Sequence, residues 1–339
     1  MTGSRARRVS RLLHLAVAAA IMLVAPPVAA GSTTRCDEVA VSTGDRRVTG
    51  TLCSPPNART VQVLLHGFTY DRLYWDFPYR RPTYSYAHAA RARGYATLAL
   101  DGLGAGSSAH PPSAEVTYHS SAEALHRVVG ALRTGLGGAR FDRVVVVGHS
   151  FGSLVGYLEA GVHRDVDALV VTGSSHLLNA ANIASRLAVN MRPAVTDPAF
   201  ADSGYDLGYV TTAAGARREF YNTADAEPGV IAADELHKDV GSLPALVTAL
   251  PYNVVNASLL IDVPTLTVDG SADPFACGPL AADCSSSAAL AAFERPFFGP
   301  RATVEARVVP DGGHNLALEF TAGETAAVIG DFVDRHVGR

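Results

Sequence analysis

Short, continuous apolar runs recur along the chain, and most of them stop at glycine. They are VQVLLHG (61–67), YATLALDG (95–102), VVVVG (144–148), ALVVTG (168–173), VPTLTVDG (263–270) and VEARVVP (304–310). Runs of this length, rich in β-branched residues and without strict alternation, predict strands buried on both faces of a parallel sheet. Between them, residues 84–93, 122–132, 151–159 and 324–336 read as helical. Strands that alternate with helices predict βαβ units and an α/β fold with a mostly parallel sheet.

One region breaks the alternation. Residues 176–260 show no clear buried strand. They carry Pro193, Pro198, Pro228, Pro244 and Pro251, with Phe200, Tyr205, Tyr209, Phe220, Tyr221 and Tyr252. The stretch reads as a mainly helical insertion, a cap between two sheet strands. The core then comprises residues 31–175 and 261–339.

The N-terminus follows a third pattern. Arg5, Arg7, Arg8 and Arg11 precede an apolar run, LAVAAAIMLVA (15–25), and then the small residues Val28-Ala29-Ala30. The run is too short to span a bilayer. This predicts a secretory signal peptide over residues 1–30 and an extracellular protein. The leader holds four arginines and no acid. Removing them from 28 basic residues leaves 24 against 32 acidic ones, a net charge of −8. A surface of that sign excludes nucleic acid as a natural partner.

Secretion gives the four cysteines a meaning. EVAVSTGDRRVTGTLC reads as a hairpin turning at Gly44-Asp45, because glycine first suits a type II′ turn. Residue 43 then faces 46, and Cys36 faces Cys53 on a non-hydrogen-bonded rung, where side chains come closest. Cys277 and Cys284 form the other expected pair.

The VVVV run ends in Gly148-His149-Ser150-Phe151-Gly152, followed by a helix-compatible stretch. A serine on a sharp strand-to-helix turn sits at positive φ, with its hydroxyl clear of the backbone. Glycines two residues away on either side relieve the crowding. Ser150 is therefore the expected nucleophile. His149, beside it, points elsewhere and is expected to be structural.

A serine needs a base, and the base needs an orienting acid. Among the twelve histidines, His314 in PDGGHNLA follows the last strand and fits best. The loop VDGSADPFAC after the preceding strand offers Asp269 and Asp273. Asp273 is favoured, because a carboxylate out in the loop can bend over to the histidine. A 277–284 disulfide would stiffen that loop. Asp311 is expected to shape its own turn. An oxyanion hole needs two backbone N–H groups. Phe151, first in the helix, supplies one, and Phe68, after His66-Gly67, is the expected second.

Together, His66-Gly67-Phe68, Asp101-Gly102-Leu103-Gly104-Ala105-Gly106-Ser107, Gly148-His149-Ser150-Phe151-Gly152, Asp273 and His314 resemble the α/β-hydrolase superfamily over residues 38–337. The resemblance implies the α/β-hydrolase fold and a Ser-His-Asp triad in chain order Ser…Asp…His.

Other readings of these features are weaker. DGLGAGSS lacks the third glycine and the lysine of a phosphate loop and reads as a structural turn. Tyr70, Tyr74, Trp75, Phe77 and Tyr79 suit a substrate wall or plain packing equally. No H-E-x-x-H occurs, and no metal or cofactor is expected. Lys238 is the sole lysine, which disfavours a Ser-Lys dyad. Serine at 150 excludes the carboxylate nucleophile that dehalogenases and epoxide hydrolases need. The expected activity is ester cleavage of a small hydrophobic substrate through an acyl-enzyme. Lactonase, thioesterase, peptidase and perhydrolase chemistry use the same triad and stay open. So does a non-catalytic ligand-binding protein on the same fold.

Overall fold

An eight-stranded sheet organises the chain in a computed structural model that describes residues 33–249 and 257–339. The leader expected over 1–30, Pro251 and Tyr252 lie outside the described residues. In chain order the sheet strands are β1 (Arg35–Ser42), β2 (Arg47–Ser54), β3 (Thr60–Leu65), β4 (Ala96–Leu100), β5 (Arg143–His149) and β6 (Ala168–Thr172). Three short strands follow, β7 (Met191–Pro193), β8 (Tyr209–Thr212) and β9 (Gly241–Ser242), and then β10 (Thr265–Gly270) and β11 (Val304–Val309). The sheet order is β1-β2-β4-β3-β5-β6-β10-β11. The β1–β2 and β2–β4 pairs are antiparallel and the rest are parallel.

The valine run explains the layering. Side chains alternate across a strand, so Val144 and Val146 enter one core while Val145 and Val147 enter another. The first core packs β5 against helices Tyr118–Thr134 and Phe151–Val162, through Val128, Leu132, Leu154 and Leu158. The second packs it against helices Tyr86–Ala92 and Ala322–His336, through Tyr86, Ala87, Ile329 and Phe332. A strand covered on both faces has no solvent-facing side, and each valine contributes about 1.5–3 kcal/mol by burial. Side-chain caps set two of the helix starts: Ser85 accepts from His88 N, and Thr117 from Ser120 N.

The hairpin has the expected register. Cys36 faces Cys53 across β1 and β2, and the two are disulfide-bonded with Cα atoms 4.0 Å apart. Gly44 has φ +87 at the turn. Cys277 and Cys284 form the second disulfide. Among the described residues no helix is long and apolar enough to cross a membrane.

The segment between β6 and β10 holds helices Ala180–Asn190, Pro228–Leu236 and Leu243–Ala249. It also holds a feature that the sequence pattern does not reveal. β7, β8 and β9 form a small antiparallel sheet, and every residue of β8 is buried. Strands of two to four residues are too short for a period of two to show.

Candidate active site

The sharp turn after β5 places Ser150 at φ 52, ψ −117, a conformation that most residues avoid. Its N–H donates to Thr172 O of β6 at 2.8 Å. The flanking glycines are required by contact. A Cβ at position 148 would lie 2.6 Å from the Gly152 carbonyl, and one at 152 would lie 2.6 Å from the carbonyl oxygens of Leu65 and His66. Ser153 fastens the new helix to β6, donating to Thr172 O at 3.0 Å and accepting from Thr172 N at 3.1 Å.

His314 lies in the loop after β11, 5% exposed, with Nδ1 2.9 Å from Asp273 Oδ2. The other carboxylate oxygen of Asp273 accepts from Phe275 N at 2.7 Å and Ala276 N at 3.2 Å. The carboxylate is thus fixed from behind and aimed at the imidazole. Cys277, whose N–H donates to Asp273 O at 3.2 Å, ties the 277–284 disulfide to this loop. Asp269 is placed differently. It is fully buried at the end of β10 and accepts from Ser174 N at 2.9 Å. Burial, reinforced by Asp273, pushes its carboxyl well above the usual range, which disfavours the anion that an orienting acid must be.

Ser150, His314, Phe68 and Phe151 line one cavity of about 80 Å³. Its remaining wall is mostly apolar, and Leu178, Ile183, Leu187, Met191, Phe220 and Leu246 of that wall come from the segment between β6 and β10. Phe151 is the first residue of its helix, where N–H groups have no intrahelical acceptor and the dipole favours negative charge. The Phe68 and Phe151 rings meet edge to face at 6.2 Å. A second cavity, of about 60 Å³, shares these two residues and lies against Leu65, Leu103, Leu125 and Val240.

His149 is fully buried, stacked on Tyr74 at 4.3 Å, with Nδ1 3.2 Å from Thr172 Oγ1. Burial, followed by the nearby His314, holds it well below the usual imidazole range. Tyr74, Trp75 and Phe77 are buried packing, whereas Tyr70 reaches the cavity wall. The DGLGAGSS stretch is a turn organised by Asp101, which accepts from Arg72 N at 2.9 Å and Ser107 N at 2.8 Å.

Sequence reasoning missed the network that holds the loop after β3. Arg217, fully buried, donates to Thr69 O at 3.1 Å and Thr69 Oγ1 at 2.9 Å. Its guanidinium pairs with Asp234 at 2.8 Å and lies 3.6 Å over the Tyr70 ring. The Tyr70 hydroxyl donates to Asp234 at 2.9 Å, and Asp239 N donates to Thr69 O at 3.0 Å. Thr69 itself is held at φ 62. The segment between β6 and β10 therefore grips the residues directly after Phe68.

The family model that matches this sequence is that of the alpha/beta hydrolase family, over residues 62–328. No curated protein matches it. Several solved structures share its fold. An esterase from Thermogutta terrifontis is 16% identical, with a TM-score of 0.59, over 89% of this chain and 100% of that one. The Pyrococcus furiosus esterase Pf2001 is 18% identical, with a TM-score of 0.55, over 93% of this chain and 96% of that one. Est1E from Butyrivibrio proteoclasticus, solved with ferulic acid, is 16% identical, with a TM-score of 0.54, over 88% of this chain and 99% of that one.

Proposed function

Because the chain belongs to the alpha/beta hydrolase family, we propose that it is a secreted serine esterase with Ser150 as nucleophile, His314 as base and Asp273 as orienting acid. The observation that carries this reading is the shared cavity. A serine at positive φ and a histidine backed by a carboxylate at 2.9 Å open into the same apolar space.

In this reading Ser150 Oγ attacks the ester carbonyl while His314 takes its proton. Asp273 holds the ring so that Nδ1 keeps its hydrogen, and it stabilises the imidazolium that forms. The carbonyl oxygen becomes an anion facing the N–H groups of Phe68 and Phe151. His314 then protonates the departing alcohol. Water, activated by the same histidine, releases the acid and restores the serine. The segment between β6 and β10 acts as the cap. It supplies aliphatic and aromatic wall without a charged group, which favours a small or medium hydrophobic ester. The esterases of the same fold are consistent with this choice. The apolar leader and the two disulfides support export to an oxidising compartment.

A panel of p-nitrophenyl esters of increasing acyl length tests the proposal. Saturation kinetics on short and medium chains are expected, with kcat lowered by about 10⁴ or more in Ser150→Ala. A preference for anionic esters, or equal rates with Ser150→Ala, would refute it.

A further inference from the structure

The helix that begins at the nucleophile ends in a second cluster of chemistry-bearing groups. Glu159 lies in its last turn, Asp165 in the loop that leads to β6, and His126 on the neighbouring helix Tyr118–Thr134. Their potential ligand atoms lie within 4.8 Å of one another. Glu159 is 0% exposed, and among the described residues neither of its carboxylate oxygens meets a hydrogen-bond donor. Asp165 Oδ1 is likewise buried without one, while Oδ2 lies 2.8 Å from His126 Nδ1.

The cations nearby are committed elsewhere. Arg133 donates to the Asp165 backbone oxygen at 2.6 Å and to the Asp167 carboxylate at 2.7 Å. Arg127 pairs with Glu123. His163 stacks on His126 at 3.9 Å, with its Nε2 3.6 Å from Glu123. An ionised buried carboxylate with no donor costs several kcal/mol, and either a proton shared with the adjacent Asp165 or a bound cation removes the cost.

We propose that His126, Glu159 and Asp165 bind a divalent first-row transition-metal ion, with Zn²⁺ the favoured occupant. One imidazole and two carboxylates suit such an ion. Ca²⁺ and Mg²⁺ want an all-oxygen set. Ligand bonds of about 2.0–2.2 Å would draw the three side chains inward from their present spacing. His126 and Asp165 are partly exposed, at 34% and 25%, which leaves an entry path and room for water to complete the coordination. The ion would tie the far end of the nucleophile helix to its neighbour and to the approach to β6. Its role is therefore structural. The ligands are 33 and 6 residues apart in sequence, a spacing that no short motif signals.

The test uses untagged, chelator-stripped full-length protein, titrated calorimetrically with Zn²⁺, Mn²⁺ and Ca²⁺ and melted with and without each. One Zn²⁺ per chain is expected, bound at least about tenfold more tightly than Ca²⁺. Saturating Zn²⁺ should raise Tm by about 3 °C or more. Glu159→Gln and the less buried His126→Gln should each weaken Zn²⁺ binding by about tenfold or more. If Glu159→Gln fails to fold, His126→Gln decides. No saturable binding to the wild type, or binding that survives the variants, would overturn the site. So would a stripped Glu159→Gln protein that is more stable than the wild type, if the wild type also ignores Zn²⁺. That pair of results would mean that Glu159 and Asp165 share a proton.

Discussion

Two buried pairs, Arg217–Asp234 and His314–Asp273, hold loops of the candidate site, and they are built to opposite ends. Arg217 and Asp234 are saturated: the guanidinium also reaches Thr69, and the carboxylate also accepts from Tyr70 and Tyr221. His314 and Asp273 are saturated only on the carboxylate side, and the ring opens into the cavity that Ser150 lines. A pair that satisfies every member holds structure in place. A pair that leaves one polar atom facing an apolar cavity has something to offer a substrate. Removing the first should cost stability together with activity, and removing the second should cost activity alone.

The largest effect expected from breaking the second pair is a loss of kcat of about 10⁴ or more in His314→Ala, with little change in Tm. Asp273→Asn should come close to this, since it leaves the imidazole in the wrong tautomer. Asp269→Asn should keep most activity. A ranking with Asp269 above Asp273, read from steady-state rates of the two variants, would reverse the assignment of the acid.

Next comes the saturated pair. Arg217→Met should destabilise the fold by about 3–5 kcal/mol, because it leaves the buried Asp234 carboxylate without its cation and removes two of the hydrogen bonds on Thr69. Urea titration measures that loss. Assayed well below its Tm, the variant should also show a lower kcat, since the carbonyl of Thr69, the residue after Phe68, is then held by Asp239 N alone. Loss of stability with an unchanged kcat would mean that the grip does not reach Phe68, the proposed oxyanion donor.

A smaller effect concerns pH. Asp239 belongs to the same grip: its N–H binds Thr69 O, and its Oδ2 accepts from Gly106 N at 2.6 Å. Burial first, then the nearby Asp71, pushes its carboxyl up to about 7 from 3.8. The folded protein therefore holds this proton more tightly than the unfolded chain. The resulting stability is complete below about pH 3.8 and is lost as pH rises to about 7. Asp239→Asn should flatten that part of the stability–pH curve, measured as urea midpoints between pH 4.5 and 8. An unchanged slope would show that another group carries it.

The same contrast marks how far the sequence could be read. The sharp turn at Ser150 and the approach of Asp273 to His314 were legible because their constraints are local: two glycines around a serine, and loops that follow apolar strands. The cysteine pairing was legible from one hairpin register. The Arg217–Asp234 network was not, because it links residues 69, 70, 217, 234 and 239, and nothing local marks Arg217 as buried rather than solvated. β7, β8 and β9 escaped for want of length. The second cavity behind Phe68 and Phe151 escaped because its walls come from six separate stretches of chain.

The central claim, that Ser150 is the nucleophile, is met most directly by intact-mass spectrometry after treatment with a fluorophosphonate. The account predicts a single adduct on the wild-type chain, mapped to Ser150 by peptide sequencing, and none on Ser150→Ala. An adduct that persists in Ser150→Ala, or that maps to another residue, would contradict it.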